Sequence, residues 1–269
     1  MSEFFKNKVV VITGGSDGIG KALIEQLLPL GAKIATCARN QDKLYDLQLR
    51  HSTSPLHCIV ADVSNYNDCK FFIESTLKQF GSIDILINNA GIVMKSLLKD
   101  ADLEVFRKVM DINYFGTVYC TKLALDSIIG QKGTIVGLAS IAGYRGLPGR
   151  SGYSASKFAI IGFLEALRIE LEDEGVNVMW VSPGFTRSNT RIAALNAKGE
   201  AQGHSPVNES DLMSPEACAK YIIKAIEKRK RTLVLTFLGK QTVFLTKFFP
   251  SIADKLTKRF YFKDGKLIK

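Results

Sequence analysis

Hydrophobic positions along this 269-residue chain follow two alternating patterns. Short, unbroken apolar runs recur at 8–12, 33–37, 56–61, 83–87, 133–139, 176–182 and 232–236. Between them apolar residues return every three or four positions, the spacing of one helix face. A strand without polar alternation is covered on both sides, and parallel strands need crossover helices to connect them. The pattern therefore predicts an α/β fold, a doubly wound parallel sheet of about seven strands with helices on both faces. Two long helices are expected, at about 102–129 and 151–174.

The first strand run, Val9 to Ile12, leads directly into TGGSDGIGKA. From Gly15 these letters run one residue short of a nucleotide-triphosphate loop, but Ala22 stands where such a loop needs a hydroxyl for magnesium. From Gly14 they place glycines at 14, 18 and 20, with Ser16, Asp17 and Ile19 between them, at a strand-to-helix junction. Glycines there let the backbone approach a pyrophosphate, and the helix N-terminus faces its charge. This is a dinucleotide cradle of Rossmann type.

Composition narrows the class. With 46% hydrophobic and 23% charged residues, the whole chain, 1–269, suits one globular domain. Its five cysteines, Cys37, Cys58, Cys69, Cys120 and Cys218, are odd in number and embedded in apolar runs, which points to buried thiols. No C-x-x-C occurs and His51, His57 and His204 form no ligand cluster, so no metal is expected. The first residues, MSEFFKNKVV, do not match a secretory leader, and no apolar run reaches the ~20 residues of a membrane span. A cytoplasmic location is expected. The net charge is +10, and the last 42 residues carry 12 of the basic and 2 of the acidic side chains, so the excess sits there. No recognition motif accompanies that charge, and nucleic acid is not an expected partner.

Further elements follow in chain order: Asn88-Asn89-Ala90-Gly91, then Asn113, Ser140, and Tyr153-Ser154-Ala155-Ser156-Lys157. Together with the glycine stretch they resemble the short-chain dehydrogenase/reductase family in its single-domain subtype, over residues 6 to about 236. The resemblance implies a catalytic set of Asn113, Ser140, Tyr153 and Lys157. Tyr153 and Lys157 are four apart and share a helix face, so the ammonium is expected to bring the phenol, ordinarily near ~10, toward the working pH. Ser140 would bond the substrate oxygen, Asn113 would support a water path to Lys157, and Lys157 would bind the nicotinamide ribose. Asp62 and Val63 match the adenine contact, while Asn89, Ala90 and Gly91 match the segment beside the cofactor. Pro183, Gly184, Thr186 and Ser188 match the nicotinamide loop, with Thr186 where an aliphatic residue is usual and Ser188 in place of threonine. After the second strand run come Ala38 and Arg39 rather than a carboxylate, which favours NADP(H) over NAD(H). Asp17 stands where the family's second basic position would be.

Several stretches, among them Ala38-Arg39-Asn40 and YSASKFAI, look like the 3-ketodihydrosphingosine reductases, and others look like membrane-associated relatives. The expected activity is interconversion of a ketone and a secondary alcohol on a lipid-like molecule such as a 3-keto sphingoid base. A hydroxysteroid or small-carbonyl substrate is the alternative, and a non-catalytic NADP-binding redox regulator is the rival of another class. The irregular stretch at about 188–214 is read as a substrate lid. Residues 237–269 form a basic amphipathic segment that either touches an anionic membrane surface, folds over the substrate site or packs at a subunit interface. The family usually forms homodimers or homotetramers through the two long helices.

Overall fold

The computed structural model describes residues 3–187, 190–203 and 212–268. Seven strands form one parallel sheet: β1 Val9–Thr13, β2 Lys33–Ala38, β3 Leu56–Val60, β4 Ile85–Asn88, β5 Thr134–Leu138, β6 Asn177–Ser182 and β7 Thr232–Val234. Their order is β3-β2-β1-β4-β5-β6-β7. The order reverses between β1 and β4, and the connections leaving their carboxyl ends diverge there and open a crevice. β1 and β5, each apolar apart from one threonine, are buried along their whole length, as the unbroken runs require.

Helices cover both faces. On one side α1 (Gly18–Leu27) and α7 (Pro215–Glu227) pack against a core that includes Ile12, Leu23, Ile34 and Ile222. On the other, α3 (Tyr66–Phe80), α5 (Gly116–Gly130) and α6 (Ser151–Glu170) enclose Phe72, Leu86, Ile135 and Leu164. Between β2 and β3 runs α2 (Gln41–Arg50), and α4 (Leu103–Met110) precedes α5. Side-chain caps fix several helix starts. Asp17 accepts from Gly18 N at 2.7 Å, and Ser214 accepts from Ala217 N at 3.1 Å with Pro215 at the first helical position. The five cysteines are free and four are buried; burial pushes Cys58 up to about 11 and Cys218 up to about 12.

Two departures from the hydrophobic pattern matter. The expected helix over 102–129 is broken: α4 ends at Met110, and Asp111–Phe115 makes one π turn before α5 begins. That turn inserts an extra residue and aims fully buried Asn113 inward, where its carboxamide is held by neighbouring backbone, as below. The expected helix to 174 stops at Glu170, and the chain turns at Gly175 with φ +69°. Beyond β7 the tail forms α8 (Phe237–Phe248), α9 (Pro250–Tyr261) and a small hairpin of β8 (Phe262–Lys263) with β9 (Lys266–Leu267). Among the described residues no helix is long and apolar enough to cross a membrane.

Candidate active site

The glycine turn joins β1 to α1 at the mouth of the crevice. Gly14 has φ +71°, and a Cβ on it would lie 3.0 Å from Ala90 Cα, so a side chain there is strained and crowded at once. A Cβ on Gly20 would stand 2.3 Å from Gly14 O, so Gly20 lets α1 pack under the turn. The loop after β4 holds the turn from the other side of the switch point. Buried Thr13 accepts from Asn89 N and Ala90 N, both at 3.0 Å. Asn89 Nδ2 donates to Thr13 O at 2.9 Å and Gly14 O at 3.1 Å. These bonds tie two loops into one floor.

That floor opens into a cavity of about 550 Å3. Gly14, Ser16, Asp17, Gly18 and Ile19 line one end, with Arg39, Asp62 and Val63 beside them. Ala90 and Gly91 continue the wall, and Pro183, Gly184 and Thr186 line it after β6. Gly20 lies behind the turn, and Ser188 falls outside the described residues. At this end cations meet carboxylates. Lys43 Nζ is 2.6 Å from Asp17 Oδ2, and Arg39 Nη1 is 3.8 Å from Asp62 Oδ2. Lys43 thus sets a cation beside Asp17, the position where the family pattern has a basic residue; nothing in its spacing from the glycines announces this.

Past the switch point, Ser140, Tyr153 and Lys157 reach the same cavity from the end of β5 and from α6. Ser140 caps a short 3-10 turn, accepting from Ala142 N at 3.2 Å, and its hydroxyl bonds the Tyr153 phenol. Lys157 donates to Leu138 O at 2.6 Å, and its Nζ lies 5.7 Å from the centre of the Tyr153 ring. Burial pushes Lys157 down to about 8. Tyr153 does not follow the expected downward shift. Its burial pushes the phenol up, and the bond to Ser140 and the charge of Arg150 pull against that rise. Desolvation outweighs its neighbours, and the phenol is held in its protonated form.

Asn113 does not line the cavity. Its Oδ1 accepts from Ile92 N at 2.8 Å, and its Nδ2 donates to Ile92 O at 3.0 Å and Ser156 Oγ at 2.9 Å. It fixes the loop after β4 against α6, one step behind Lys157; a Cβ on Gly91 would lie 3.1 Å from Asn113 Oδ1 and 3.5 Å from Lys157 Nζ.

The remaining wall comes from residues the motifs do not mark. Lys95 follows β4, Arg150 precedes α6, Arg191 follows β6, and Tyr261 ends α9. Tyr261 is buried, and the Arg150 guanidinium lies 5.3 Å from its ring centre. Arg145 anchors α9, with Nε 3.2 Å from Thr257 Oγ1 and an ion pair to Asp254. The tail therefore folds over the cavity with one face, while Phe244, Phe248, Ile252 and Leu256 stay exposed. Only its apolar spacing hinted at a covering role.

Comparison with known proteins places this geometry. The short chain dehydrogenase family matches residues 8–199. Dehydrogenase/reductase SDR family member 7B of Mus musculus is 34% identical over 257 residues, spanning 93% of this chain and 80% of the relative. Dehydrogenase/reductase SDR family protein 7-like of Dictyostelium discoideum is 32% identical over 268 residues, 95% of this chain and 82% of its own. Among solved structures, a short chain dehydrogenase/reductase from Burkholderia phymatum in complex with NAD superposes with a TM-score of 0.80 at 24% identity, covering 94% of this chain and 96% of that one. Thermococcus sibiricus alcohol dehydrogenase complexed with 5-hydroxy-NADP gives 0.73 at 25% identity, covering 85% and 95%. Motif, sheet order and sequence agree: the chain belongs to the short chain dehydrogenase family of oxidoreductases.

Proposed function

We propose that this chain is an NADP(H)-dependent oxidoreductase, one domain over 1–269, that interconverts a ketone and a secondary alcohol on an apolar, lipid-like molecule. The observation that carries the reading is the meeting of Ser140, Tyr153 and Lys157 in the same cavity as the glycine turn. A bound nicotinamide supplies or accepts the hydride. The chain handles the proton and the oxygen. In the reducing direction the protonated Tyr153 gives its proton to the substrate oxygen, and the Ser140 hydroxyl holds that oxygen as charge develops. Lys157, titrating at about 8, carries its proton through most of the neutral range, stabilises the phenolate left behind and helps restore the proton. Asn113 acts as a positioning residue, through Ile92 and Ser156.

The NADP(H) preference is supported by Arg39 and Lys43, both lining the end of the cavity beyond β2, where a carboxylate would repel a 2′-phosphate. The expected substrate lid at about 188–214 lies in part, at 188–189 and 204–211, outside the described residues; of its described part Thr190 and Arg191 line the cavity. Exposed Phe158 and Ile169 on α6 and Phe115 in the π turn support self-association into a homodimer or homotetramer. On α8 and α9, exposed Phe237, Phe244, Phe248 and Ile252 stand among exposed Lys240, Lys247, Lys255 and Lys258, which favours peripheral contact with an anionic membrane surface. In sedimentation with anionic vesicles, replacing Phe244 and Phe248 by aspartate should release the protein; unchanged partitioning removes the membrane contact.

The activity is tested by NADPH consumption with 3-ketodihydrosphingosine in mixed micelles, beside a steroid ketone and a small aromatic ketone. Turnover that disappears in Tyr153→Phe supports the reading. Cofactor binding without turnover of any ketone would replace it with a redox regulator.

A further inference from the structure

Among the described residues lining the cavity, Tyr261 is the one that comes from beyond β7, and the rest of the tail fixes where it stands. Asp254, Thr257 and Tyr261 follow one another on α9 at spacings of three and four, so they share a face, and Arg145 holds the first two. Ile252, Leu256 and Phe260 form the exposed stripe beside them, and Phe260 stacks on Phe185 of the loop after β6 with ring centres 6.4 Å apart. Past the helix, Leu267 of β9 packs on Gly149, where a Cβ would come within 2.5 Å of its Cδ2. Tyr261 is thus pinned from both sides in sequence and is only 4% exposed. Phe260, at 5.2 Å between ring centres, and the Arg150 guanidinium account for its ring. Its hydroxyl has no hydrogen-bond partner among the described residues. Burial holds the phenol above its ordinary value against the pull of Arg150, so at neutral pH it keeps a proton to donate. An apolar wall needs only the ring, and a desolvated, unpaired hydroxyl costs stability until a polar atom meets it.

We infer that Tyr261 determines specificity, its hydroxyl donating a hydrogen bond to an oxygen that the substrate carries within a few bonds of its ketone. The inference rests on the reading of the cavity as a ketone site and narrows it to long-chain ketones with a nearby hydroxyl or carbonyl oxygen. The site's other phenol, Tyr153, is close enough for a charge on Tyr261 to be felt there. The two have different roles. Tyr153 has Ser140 and Lys157 to hold and restore its proton, whereas Tyr261 has neither among its contacts, so it binds rather than reacts. Ser140 on the ketone oxygen and Tyr261 on the second oxygen are two anchors, and together they set which carbon of a long chain faces the nicotinamide. A ketone without that oxygen leaves the Tyr261 hydroxyl buried and unpaired, which is how a site built around a donor rejects an analogue lacking the acceptor.

The test uses the full chain, NADPH and long-chain ketones of matched length: one plain, a set with a hydroxyl two or three carbons from the ketone, and one with the hydroxyl at the far end of the chain. Expected is a kcat/KM for the best near-hydroxyl ketone roughly five- to fiftyfold above the plain and far-hydroxyl ones. Tyr261→Phe keeps the ring and removes only the hydroxyl. In that variant the ratio of near-hydroxyl to plain kcat/KM should fall by the same factor, while NADPH affinity stays unchanged. Equal use of all the ketones by the unchanged protein overturns the inference, as does a ratio that survives in Tyr261→Phe or a loss there that is the same for every ketone. If no ketone is turned over, the reductase reading fails and the contact is judged by binding. With NADPH present, a long-chain diol should then raise the melting temperature more than the matching mono-alcohol, and Tyr261→Phe should remove the difference. Absence of that difference in the unchanged protein overturns the contact.

Discussion

The two ends of the cavity hold their positive charges in opposite ways. Beyond β1 and β2, Lys43 and Arg39 each face a carboxylate, and their side chains stay about half exposed. Beside Tyr153, Lys157 is almost wholly buried and its ammonium is held by the Leu138 carbonyl. Exposed pairs contribute little to stability and are screened by salt, so the cofactor end is cheap to build and easy to adjust. A buried ammonium such as that of Lys157 costs the empty fold stability through desolvation. The end that holds Ser140, Tyr153 and Lys157 is thus the end where the fold bears a desolvation cost.

Four substitutions would break or sharpen this contrast. Tyr153→Phe, at the junction of the two ends, should lower kcat/KM by roughly a hundred- to ten-thousandfold while NADPH binding measured by fluorescence stays intact; parallel losses of both would mean that the ends are not separable. Lys157→Met tests that cost directly. Depression of its pKa from 10.5 to about 8 corresponds to about 3 kcal/mol of penalty, and the lost bond to Leu138 O returns about 1 kcal/mol, leaving a gain of about 2 kcal/mol in urea unfolding of the ligand-free protein at pH 7. The folded chain releases the Lys157 proton near pH 8 and the unfolded chain near 10.5, so the penalty is full below pH 8. The gain should fade as the pH rises through that interval; a pH-independent difference would point to packing instead. Arg39→Asp should weaken NADPH about tenfold more than NADH in a binding titration, and equal losses would remove Arg39 from cofactor choice. The smallest effect belongs to Asp17→Ser, which keeps a cap on α1 and frees Lys43. NADPH should then bind about two- to fivefold tighter at low salt, with the difference shrinking as salt is added.

Sequence alone revealed much of the sheet and the cofactor end, because both rest on local patterns. Unbroken apolar runs mark β1 and β5, and the glycine turn is written in consecutive residues. Tyr153 and Lys157 are legible for the same reason, four apart on α6. The cluster of Lys95, Arg150 and Arg191 is not, since three loops distant in sequence must be folded before their charges meet. The π turn also escaped, because one extra residue in a helix barely disturbs its apolar spacing. The pKa direction of Tyr153 depends on burial, which spacing does not contain; Lys157 at four residues' distance suggested the opposite sign. Tyr261 lay within a stretch whose pattern fitted three roles, and contacts distant in sequence, Arg145 with Asp254 and Thr257 and Arg150 with Tyr261, show which face turns inward.

The position of Tyr261 gives the site an order in time. Gly20 leaves the ribosome 241 residues ahead of Tyr261, a delay on the order of ten to fifty seconds at ordinary rates of synthesis. During that interval a nascent chain already displays the glycine turn, and its cavity has no wall behind Arg150. The wall that α9 supplies is thus made after the glycine turn, after Tyr153 and Lys157 and after the loop that follows β6, and assembly of this site follows the direction of translation.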